Sequence, residues 1–364
     1  MKICVVTGTR AEFGLLAPVM NEIKKYFQLQ VVVTGAHLSD KYGLTVNEVV
    51  KQFSVNEKVD LELDDTPLGV TRSLGIGVIK FAGTFDRLKP DIVMLLGDRY
   101  EMLAAAQAAL IAKIPIAHIA GGDTTEGAFD EAIRHSITKM SHLHFVTNQE
   151  SALRVRQLGE NPEHIFNVGS PGIDAIKQTE ILSKKELEEE LNIKFEDTNI
   201  LVIYHPVTLD EESPAEQFGR LLGALNLLEM GKFFIAPNAD PGRSQIAEMM
   251  TGFDSLPHNV FLSLLSQVDL LVGNSSSGLY EALACGTPAV NVGDRQKGRT
   301  LPTSVVNCGT GMVDILGAID KALTIDCSGV ENPYGEGQAA EKIVHVLRQV
   351  NEPKLLIKKK FWGM

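Results

Sequence analysis

Short apolar runs alternate with segments whose apolar residues recur at helical spacing along the first half of the chain. A run with few polar interruptions predicts a strand buried on both faces, as in a parallel sheet. The predicted strands cover residues 2–7, 29–34, 91–96, 143–147 and 165–168, and the predicted helices include residues 69–88 and 102–113. Strands that alternate with helices indicate a doubly wound α/β fold.

The second half repeats this alternation after a charged amphipathic segment at 182–191. Strands are predicted at residues 199–204, 232–236, 260–262 and 270–272, and a helix at 339–350. A length of 364 residues favours two domains, because it exceeds what one hydrophobic core usually serves. We predict an N-terminal Rossmann-like domain at 1–174, a linker helix at 175–198, a C-terminal Rossmann-like domain at 199–340, and a C-terminal helix with a basic tail at 341–364.

The composition and net charge restrict the kinds of molecule that the protein is expected to bind. A net charge of −12 argues against nucleic acid or an anionic membrane, although local arginines can still bind a phosphorylated small molecule. The four cysteines lack Cys-x-x-Cys spacing, which is typical of reduced thiols. The sequence shows no charged-then-apolar leader and no apolar stretch of bilayer length, so we expect a soluble cytoplasmic protein.

Polar residues follow the predicted strands, at the edge where ligands bind in an open α/β sheet. The turn at 8–14 is flanked by glycines and contains Arg10, so we expect it to offer N–H groups and a guanidinium to an anion. A plain strand-to-helix turn would also explain the glycines. The turn lacks the Gly-x-Gly-x-x-Gly spacing, so we infer no NAD from it. Asp98 and Arg99 leave a later strand in the same way.

Residues 118–139 combine carboxylates with bases after a Gly-Gly break. Asp123, Glu126, Asp130 and Glu131 lead into a predicted helix that carries Arg134. Carboxylates beside basic groups at the end of a strand suggest proton transfer near a bound anion. The alternative is that the acids only cap the helix while the bases lie on its far side.

The strand ends of the second half are also polar. The loop at 273–278 presents three serines at a predicted helix start, where hydroxyls and N–H groups suit a diphosphate. We expect Glu281 to accept hydrogen bonds from a ribose diol. We expect Arg295 and Arg299 to close over the phosphates. A serine N-cap explains one of these serines but not all three beside a carboxylate.

The histidines raise the question of a metal site. His142 and His144 share one face of a predicted strand, but no carboxylate or cysteine completes a ligand set in the sequence. We therefore expect hydrogen-bonded or core histidines there, and a satisfied loop histidine at His37. Neither a metal nor any other cofactor is predicted.

These stretches together resemble the UDP-N-acetylglucosamine 2-epimerase family, in its hydrolysing branch of sialic-acid-type and legionaminic-acid-type sugar synthesis. The resemblance runs in order from about residue 2 to about residue 350. The matching motifs are Thr-Gly-Thr-Arg-Ala at 7–11, Gly-Asp-Arg at 97–99, Asp-Glu-Ala-Ile-Arg-His at 130–135, His-Pro-Val-Thr at 205–208, Pro-Asn-Ala-Asp at 237–240, Gly-Asn-Ser-Ser at 273–276, Gly-Thr-Pro at 286–288 and Gly-Asp-Arg at 293–295.

The resemblance implies a GT-B fold, with two Rossmann-like doubly wound parallel-sheet domains that face each other across a cleft. It implies a UDP-sugar substrate and a homo-oligomer, a dimer or tetramer. The residues implied to bind UDP are Arg10, His205, Asn238, Ser275, Ser276, Glu281 and Arg295, and those implied to surround the sugar are Asp98, Asp130, Glu131 and Arg134. The same motifs make Ala11, Arg99 and Asp240 candidate substrate-binding residues, and Asp123 is a further candidate catalytic acid.

The family reaction is an anti elimination of UDP in which a base removes the proton at sugar carbon 2. Water then adds to the resulting 2-acetamidoglucal and yields N-acetylmannosamine from UDP-N-acetylglucosamine. Such a base needs a partly desolvated carboxylate, and the leaving diphosphate needs positive charge and N–H donors. The reaction is redox-neutral, and Arg10 and Arg295 are expected to do the work of a metal.

One position departs from the family pattern. Members that act on UDP-N-acetylglucosamine commonly have a glutamate before the Gly-Gly pair, and this chain has Ala120. Either Asp123 or Glu126 supplies the missing carboxylate, or the substrate is a UDP- or GDP-linked 2,4-diacetamido-trideoxyhexose, as in legionaminic-acid-type synthesis. A GT-B glycosyltransferase and a non-catalytic UDP-sugar sensor are the remaining alternatives.

Overall fold

The computed structural model describes residues 1–126, 128–207, 212–238, 240 and 242–363. The chain forms two compact units. The N-terminal unit comprises Met1–Asp123, Asp130–Lys177 and Tyr334–Met364, and the C-terminal unit comprises Thr124–Phe129 and Gln178–Pro333. No helix within the described ranges has both the length and the apolar character that crossing a membrane requires.

The described strands are β1 (Lys2–Thr7), β2 (Gln28–Thr34), β3 (Glu57–Val59), β4 (Ile92–Leu96), β5 (Ile116–Ile119), β6 (Leu143–Val146), β7 (Ile165–Asn167), β8 (Asn199–Ile203), β9 (Gly231–Ile235), β10 (Leu270–Gly273), β11 (Ala289–Val292) and β12 (Val305–Cys308).

The described α-helices are α1 (Arg10–Ile23), α2 (Val46–Gln52), α3 (Pro67–Leu88), α4 (Tyr100–Ile111), α5 (Asp130–Met140), α6 (Gln149–Gln157), α7 (Pro171–Gln178), α8 (Lys184–Leu191), α9 (Pro214–Leu225), α10 (Arg243–Ala247), α11 (His258–Gln267), α12 (Ser277–Tyr280), α13 (Met312–Ala322) and α14 (Ala339–Gln349).

The N-terminal unit contains a seven-stranded sheet in the order β3-β2-β1-β4-β5-β6-β7, with every pair parallel. Alternate residues of β1 point to opposite faces: Ile3 joins the core that includes residues of α1 and α14, and Cys4 joins the core that includes residues of α3 and α4. The strand order changes direction between β1 and β4. Ligands bind beside the carboxyl ends of strands at such a switch point.

The C-terminal unit contains a five-stranded parallel sheet in the order β12-β11-β10-β8-β9. It is also covered on both faces, with Val202 in one core and Leu201 in the other. Its switch point lies between β8 and β10, which are followed by the residues around His205 and Ser275. The predicted fold class, with two Rossmann-like parallel sheets of the GT-B type, is confirmed for the two units taken separately.

Two local predictions were wrong, and one strand was not predicted. Residues 260–262 belong to helix α11, because a short apolar run on its own fits a buried helix as well as a strand. Helix α1 begins at Arg10, inside the segment predicted to be a turn. Residues 289–292, which lie between two of the family motifs and were assigned to no element, form β11.

Candidate active site

The turn after β1 is closed by its own side chains. Thr9 caps α1 and accepts from the N–H of Glu12 at 3.2 Å, while Glu12 Oε2 accepts from the N–H groups of Gly8 at 2.7 Å and Thr9 at 3.1 Å. This reciprocal arrangement is a capping box. The N–H groups of Gly8 and Thr9, which we expected to bind an anion, are therefore occupied by a carboxylate. Those two N–H groups are not offered to an anion, and anion binding by Arg10 and the rest of the turn stays a prediction.

Arg99 also has an internal partner. Its Nε lies 3.3 and 3.4 Å from the two carboxylate oxygens of Glu101, a residue with no solvent exposure. Burial raises the pKa of Glu12 to about 7, and the charge of Glu101 adds to this rise, while Arg99 and the turn N–H groups oppose it. Glu12 and Glu101 were not among the predicted site residues, although the Thr-x-x-Glu spacing at 9–12 is a recognisable capping signal.

Arg10 and Ala11 lie at the start of α1. The guanidinium of Arg10 forms an ion pair with Glu48 of α2, and its side chain is largely covered. Ala11 is exposed. Neither position contradicts a role in substrate binding, and that role stays a prediction.

A cluster of charged side chains lies at the carboxyl end of β4. Arg134 of α5 is 1% exposed and forms ion pairs with Asp98 and, at 3.0 Å, with Glu131. It also donates to the carbonyl of Asp123 at 2.9 Å. His135 lies 2.9 Å from the second oxygen of Glu131. The structure thus brings the side chains of Asp98 and Glu131, both predicted site residues, together around the buried guanidinium of Arg134.

The side chain of Asp123 is hydrogen-bonded to residues that follow β6. It is 4% exposed, and its Oδ1 accepts hydrogen bonds from Thr147 at 2.8 Å and from Ser151 at 2.6 Å. Asp130 is the first residue of α5, one helical turn before Arg134, and is partly exposed. Among these acids, Asp98, Glu131 and Asp123 all contact groups that stabilise a carboxylate.

The Gly-Gly break is required by close packing. Gly122 has φ +80°, and a Cβ there would lie 2.4 Å from the carbonyl of Ser151. Ala120, which precedes the pair, has φ +61°, a left-handed conformation that side chains larger than glycine adopt rarely. A strained residue at a strand end is common near functional sites.

Asn274 organises the carboxyl ends of β8 and β10 in the C-terminal unit. Its side chain accepts from the N–H of His205 at 2.6 Å and donates to the carbonyl of His205 at 2.8 Å. Its own carbonyl accepts from Arg295 at 3.2 Å and from Gln296 at 2.7 Å. Asn238 donates its N–H to His205 Nδ1 at 3.3 Å. Asn274 was predicted only as part of a motif, yet it contacts two predicted UDP-binding residues, His205 and Arg295.

The serine loop continues from Asn274. Ser275 is buried and accepts from the N–H of Ser277 at 3.3 Å, and Ser276 precedes α12, a helix of only four residues. Burial raises the pKa of Glu281 to about 7, against the opposing effects of Ser277 and Arg299. Glu281 Oε2 is buried and has no hydrogen-bond partner among the described residues. An unsatisfied buried carboxylate oxygen is a candidate acceptor for a ligand hydroxyl.

Arg299 contacts a different segment of the C-terminal unit. Its Nε donates to the carbonyl of Thr124 at 2.5 Å, and its Nη2 donates to the hydroxyl of Thr125 at 2.7 Å. It also lies over the ring of Tyr280. The role of Arg299 in closing over the phosphates stays a prediction.

Asp240 is buried, and its N–H donates to the carbonyl of Asn238 at 2.8 Å. Thr208 and Ala239, which belong to two of the motifs, lie outside the described residues.

The histidines are hydrogen-bonded inside the N-terminal unit, as predicted. His37 lies 3.0 Å from Thr7 Oγ1 and 2.7 Å from Thr45 Oγ1. His142 accepts from the N–H of Ile116 at 3.1 Å, and His144 lies 3.0 Å from Glu160. Across the described ranges, no three His, Cys, Asp or Glu side chains form a group that would hold a metal.

Comparisons with known proteins identify the family. The sequence model of the UDP-N-acetylglucosamine 2-epimerase family matches residues 21–348. The chain is 40% identical over 321 residues to the GDP/UDP-N,N'-diacetylbacillosamine 2-epimerase (hydrolyzing) of Campylobacter jejuni, covering 84% of each chain. It is 34% identical over 362 residues to the UDP-N,N'-diacetylbacillosamine 2-epimerase (hydrolyzing) of Legionella pneumophila, covering 96% of each.

The fold has a solved counterpart. The UDP-GlcNAc 2-epimerase of Methanocaldococcus jannaschii, crystallised with UDP-GlcNAc and UDP, superimposes with a TM-score of 0.82 at 18% identity and covers 96% of this chain and 99% of its own. At that identity the likeness supports the fold alone. Motifs, sheet topology and sequence matches agree, and the chain belongs to the hydrolysing branch of the UDP-N-acetylglucosamine 2-epimerase family.

Proposed function

We propose that the protein is a hydrolysing 2-epimerase that releases UDP from a UDP-linked 2,4-diacetamido-2,4,6-trideoxyhexose and inverts carbon 2 of the sugar. The observation that carries the proposal is the cluster of Asp98 and Glu131 around buried Arg134 at the switch point of the sheet. Arg134 keeps these carboxylates ionised and fixed in position, so they can accept a proton at the strand end where the sugar is expected.

The reaction balances without a redox step. A carboxylate takes the proton from carbon 2, the electron pair of that C–H bond forms the carbon 1–carbon 2 double bond, and the bond to UDP breaks with its electrons on the phosphate oxygen. Water then adds its oxygen to carbon 1, and a proton returns to carbon 2 from the opposite face. The candidate proton-transfer groups are Asp98, Asp130, Glu131 and Asp123.

The C-terminal unit supplies the candidate nucleotide site. Asn274 holds His205 and Arg295 in place, Ser275 and Ser276 lie in the adjoining loop, and the unsatisfied oxygen of Glu281 is a candidate partner for a ribose hydroxyl. Positive charge from Arg295 would stabilise the diphosphate as its negative charge grows.

Two features favour the diacetamido sugar. Ala120 replaces the carboxylate that family members acting on UDP-N-acetylglucosamine commonly carry, which suits a less polar sugar. Two relatives, 40% and 34% identical, bear names that specify diacetylbacillosamine, a 2,4-diacetamido-trideoxy sugar. The second candidate substrate is UDP-N-acetylglucosamine, giving N-acetylmannosamine, because a relative that is 30% identical over 97% of this chain bears the name UDP-N-acetylglucosamine 2-epimerase.

The substrate is decided by measuring UDP release from both sugar nucleotides at matched concentrations, with the GDP-linked diacetamido sugar as a third arm. We expect kcat/KM to be at least tenfold higher for the UDP-linked diacetamido sugar. A higher value for UDP-N-acetylglucosamine or for the GDP-linked sugar would overturn the substrate assignment. UDP release that requires an acceptor, with the sugar transferred to that acceptor, would overturn the reaction and favour a glycosyltransferase.

A further inference from the structure

His118 lies in β5 with no solvent exposure, between the two backbone segments that carry Asp98 and Arg134. Its Nε2 is 2.7 Å from the carbonyl oxygen of Gly97, and its Nδ1 is 3.2 Å from Thr138 Oγ1. Gly97 immediately precedes Asp98, and Thr138 lies one helical turn after Arg134 in α5. The imidazole therefore bridges the turn of one catalytic candidate and the helix of the other.

The chemistry of the two partners fixes the tautomer. A backbone carbonyl only accepts hydrogen bonds, so Nε2 carries the proton and donates to Gly97. Nδ1 of a neutral ring is then an acceptor, and the hydroxyl of Thr138 donates to it. Burial lowers the pKa of His118 to about 3, which keeps the ring neutral at physiological pH.

The Gly-Gly break accommodates this bridge. A Cβ at Gly121 would lie 2.8 Å from Nδ1 of His118 and 2.9 Å from Thr138 Oγ1. The first glycine of the pair thus leaves the space in which the ring meets the threonine. Burial requires both ring nitrogens to be paired, and the two partners of His118 lie on the segments that carry Asp98 and Arg134.

We propose that His118 is a positioning residue that, with Thr138, fixes the Asp98 turn against α5 and so holds Asp98 at Arg134. It contacts no substrate, and its effect on turnover rests on the proposed function of Asp98 and Arg134. Misplacing a reacting group by about 1 Å can cost about a hundredfold in rate. Loss of the bridge is therefore expected to lower kcat and to leave substrate affinity unchanged.

The bridge itself is tested without any substrate. Nitrogen-15 spectra of the histidine-labelled protein should show His118 neutral, with the proton on Nε2, from about pH 5.5 to 8.5. Thr138→Val should shift the Nδ1 resonance and leave Nε2 unchanged. A proton on Nδ1, or titration within that range, would overturn the assignment.

The positioning role is tested by kinetics with two conservative pairs. Thr138→Val should lower kcat about tenfold with KM unchanged within about twofold, and Thr138→Ser, which restores the donor, should recover most of it. Among variants of the ring, His118→Gln, which keeps a donor at the Nε2 position, should retain more activity than His118→Leu. If a histidine variant fails to fold, the comparison of Thr138→Val with Thr138→Ser still tests the positioning role.

His144→Gln is the matched control. His144 is paired with His118 in register on the neighbouring strand and is equally buried, but it contacts Glu160 and not the Asp98 turn. We expect this variant to lose thermal stability and keep its kcat. An equal fall in kcat for His144→Gln and Thr138→Val, or an effect of Thr138→Val on KM alone, would contradict positioning. If the parent protein releases no UDP from either substrate, the proposed function fails, while the nitrogen-15 spectra still decide the bridge.

Discussion

Arg134 forms an ion pair with Asp98, although Asp98 is followed directly in the chain by another arginine, Arg99. Arg99 turns inward to Glu101 instead. Consecutive residues in extended backbone point to opposite sides, so the chain separates the two arginines into two roles. Arg134 becomes the centre of the candidate catalytic cluster, and Arg99 pairs with the buried carboxylate of Glu101.

Asp98→Asn and Asp130→Asn should each lower kcat about a hundredfold, because each removes a candidate proton-transfer group. The asparagine at position 98 still offers an oxygen to Arg134, so the cluster should remain folded. Turnover is measured as UDP release, and UDP binding by calorimetry. Weaker UDP binding at unchanged kcat would place these residues in the nucleotide site and contradict their assignment.

Asp123 and Glu126 are the two candidates for the carboxylate missing at Ala120, and the structure distinguishes them. Asp123 is buried and bonded to Thr147 and Ser151, whereas Glu126 is exposed. Asp123→Asn should lower kcat at least tenfold, since general acid–base groups contribute about a hundredfold or more, and Glu126→Gln should leave kcat within about twofold. The reverse order would assign the compensating acid to Glu126.

Arg295→Ala should raise the dissociation constant of UDP about tenfold, because a hydrogen bond to a charged group is worth about 1.5–3 kcal/mol. Lys297→Ala is the control: this lysine is close in sequence and 61% exposed. Titration calorimetry with UDP should separate the two variants. Similar losses in both would mean that general positive charge, and not the Arg295 contact, binds the diphosphate.

Acid should destabilise the N-terminal unit through its buried histidines, and Glu12, whose pKa burial raises to about 7, should offset part of this loss. Burial lowers the pKa of His37 and His118 to about 3 and that of His142 to about 4, below the ordinary value near 6.5. The unfolded chain then binds protons below pH 6.5 that the folded chain does not, so this stability is present above pH 6.5 and is lost as pH falls. Each histidine contributes a slope of about 1.4 kcal/mol per pH unit.

Urea denaturation between pH 7.5 and 5 measures this slope. The midpoint should fall steadily below pH 6.5, and His37→Gln should make the fall shallower. The control variant His345→Gln, at an exposed position, should leave the fall of the midpoint with pH unchanged. A midpoint that stays level to pH 5 would contradict the account of the buried histidines.

The sheets were predictable because parallel strands are buried on both faces and therefore read as apolar runs. Residues 92–96 and 199–203 illustrate this, since every one of them is buried. The run at 260–262 failed because three apolar residues carry no periodicity.

The site was predictable only as a set of strand-end residues. Sequence placed Asp98, Arg134 and Arg295 at the right edges, because the edges follow from the strand order. It did not show that Glu12 occupies the turn N–H groups, that Asn274 holds both His205 and Arg295, or that His118 meets Thr138. Such hydrogen bonds depend on tertiary packing between residues far apart in the chain, with the exception of the Glu12 capping box, which local spacing encodes.

Proton NMR of the reaction in heavy water tests the central claim most directly. Elimination followed by addition of water predicts free UDP and a free sugar that has inverted carbon 2 and carries one deuterium there. A released sugar that keeps its original hydrogen at carbon 2, or that keeps its original configuration, would contradict the account.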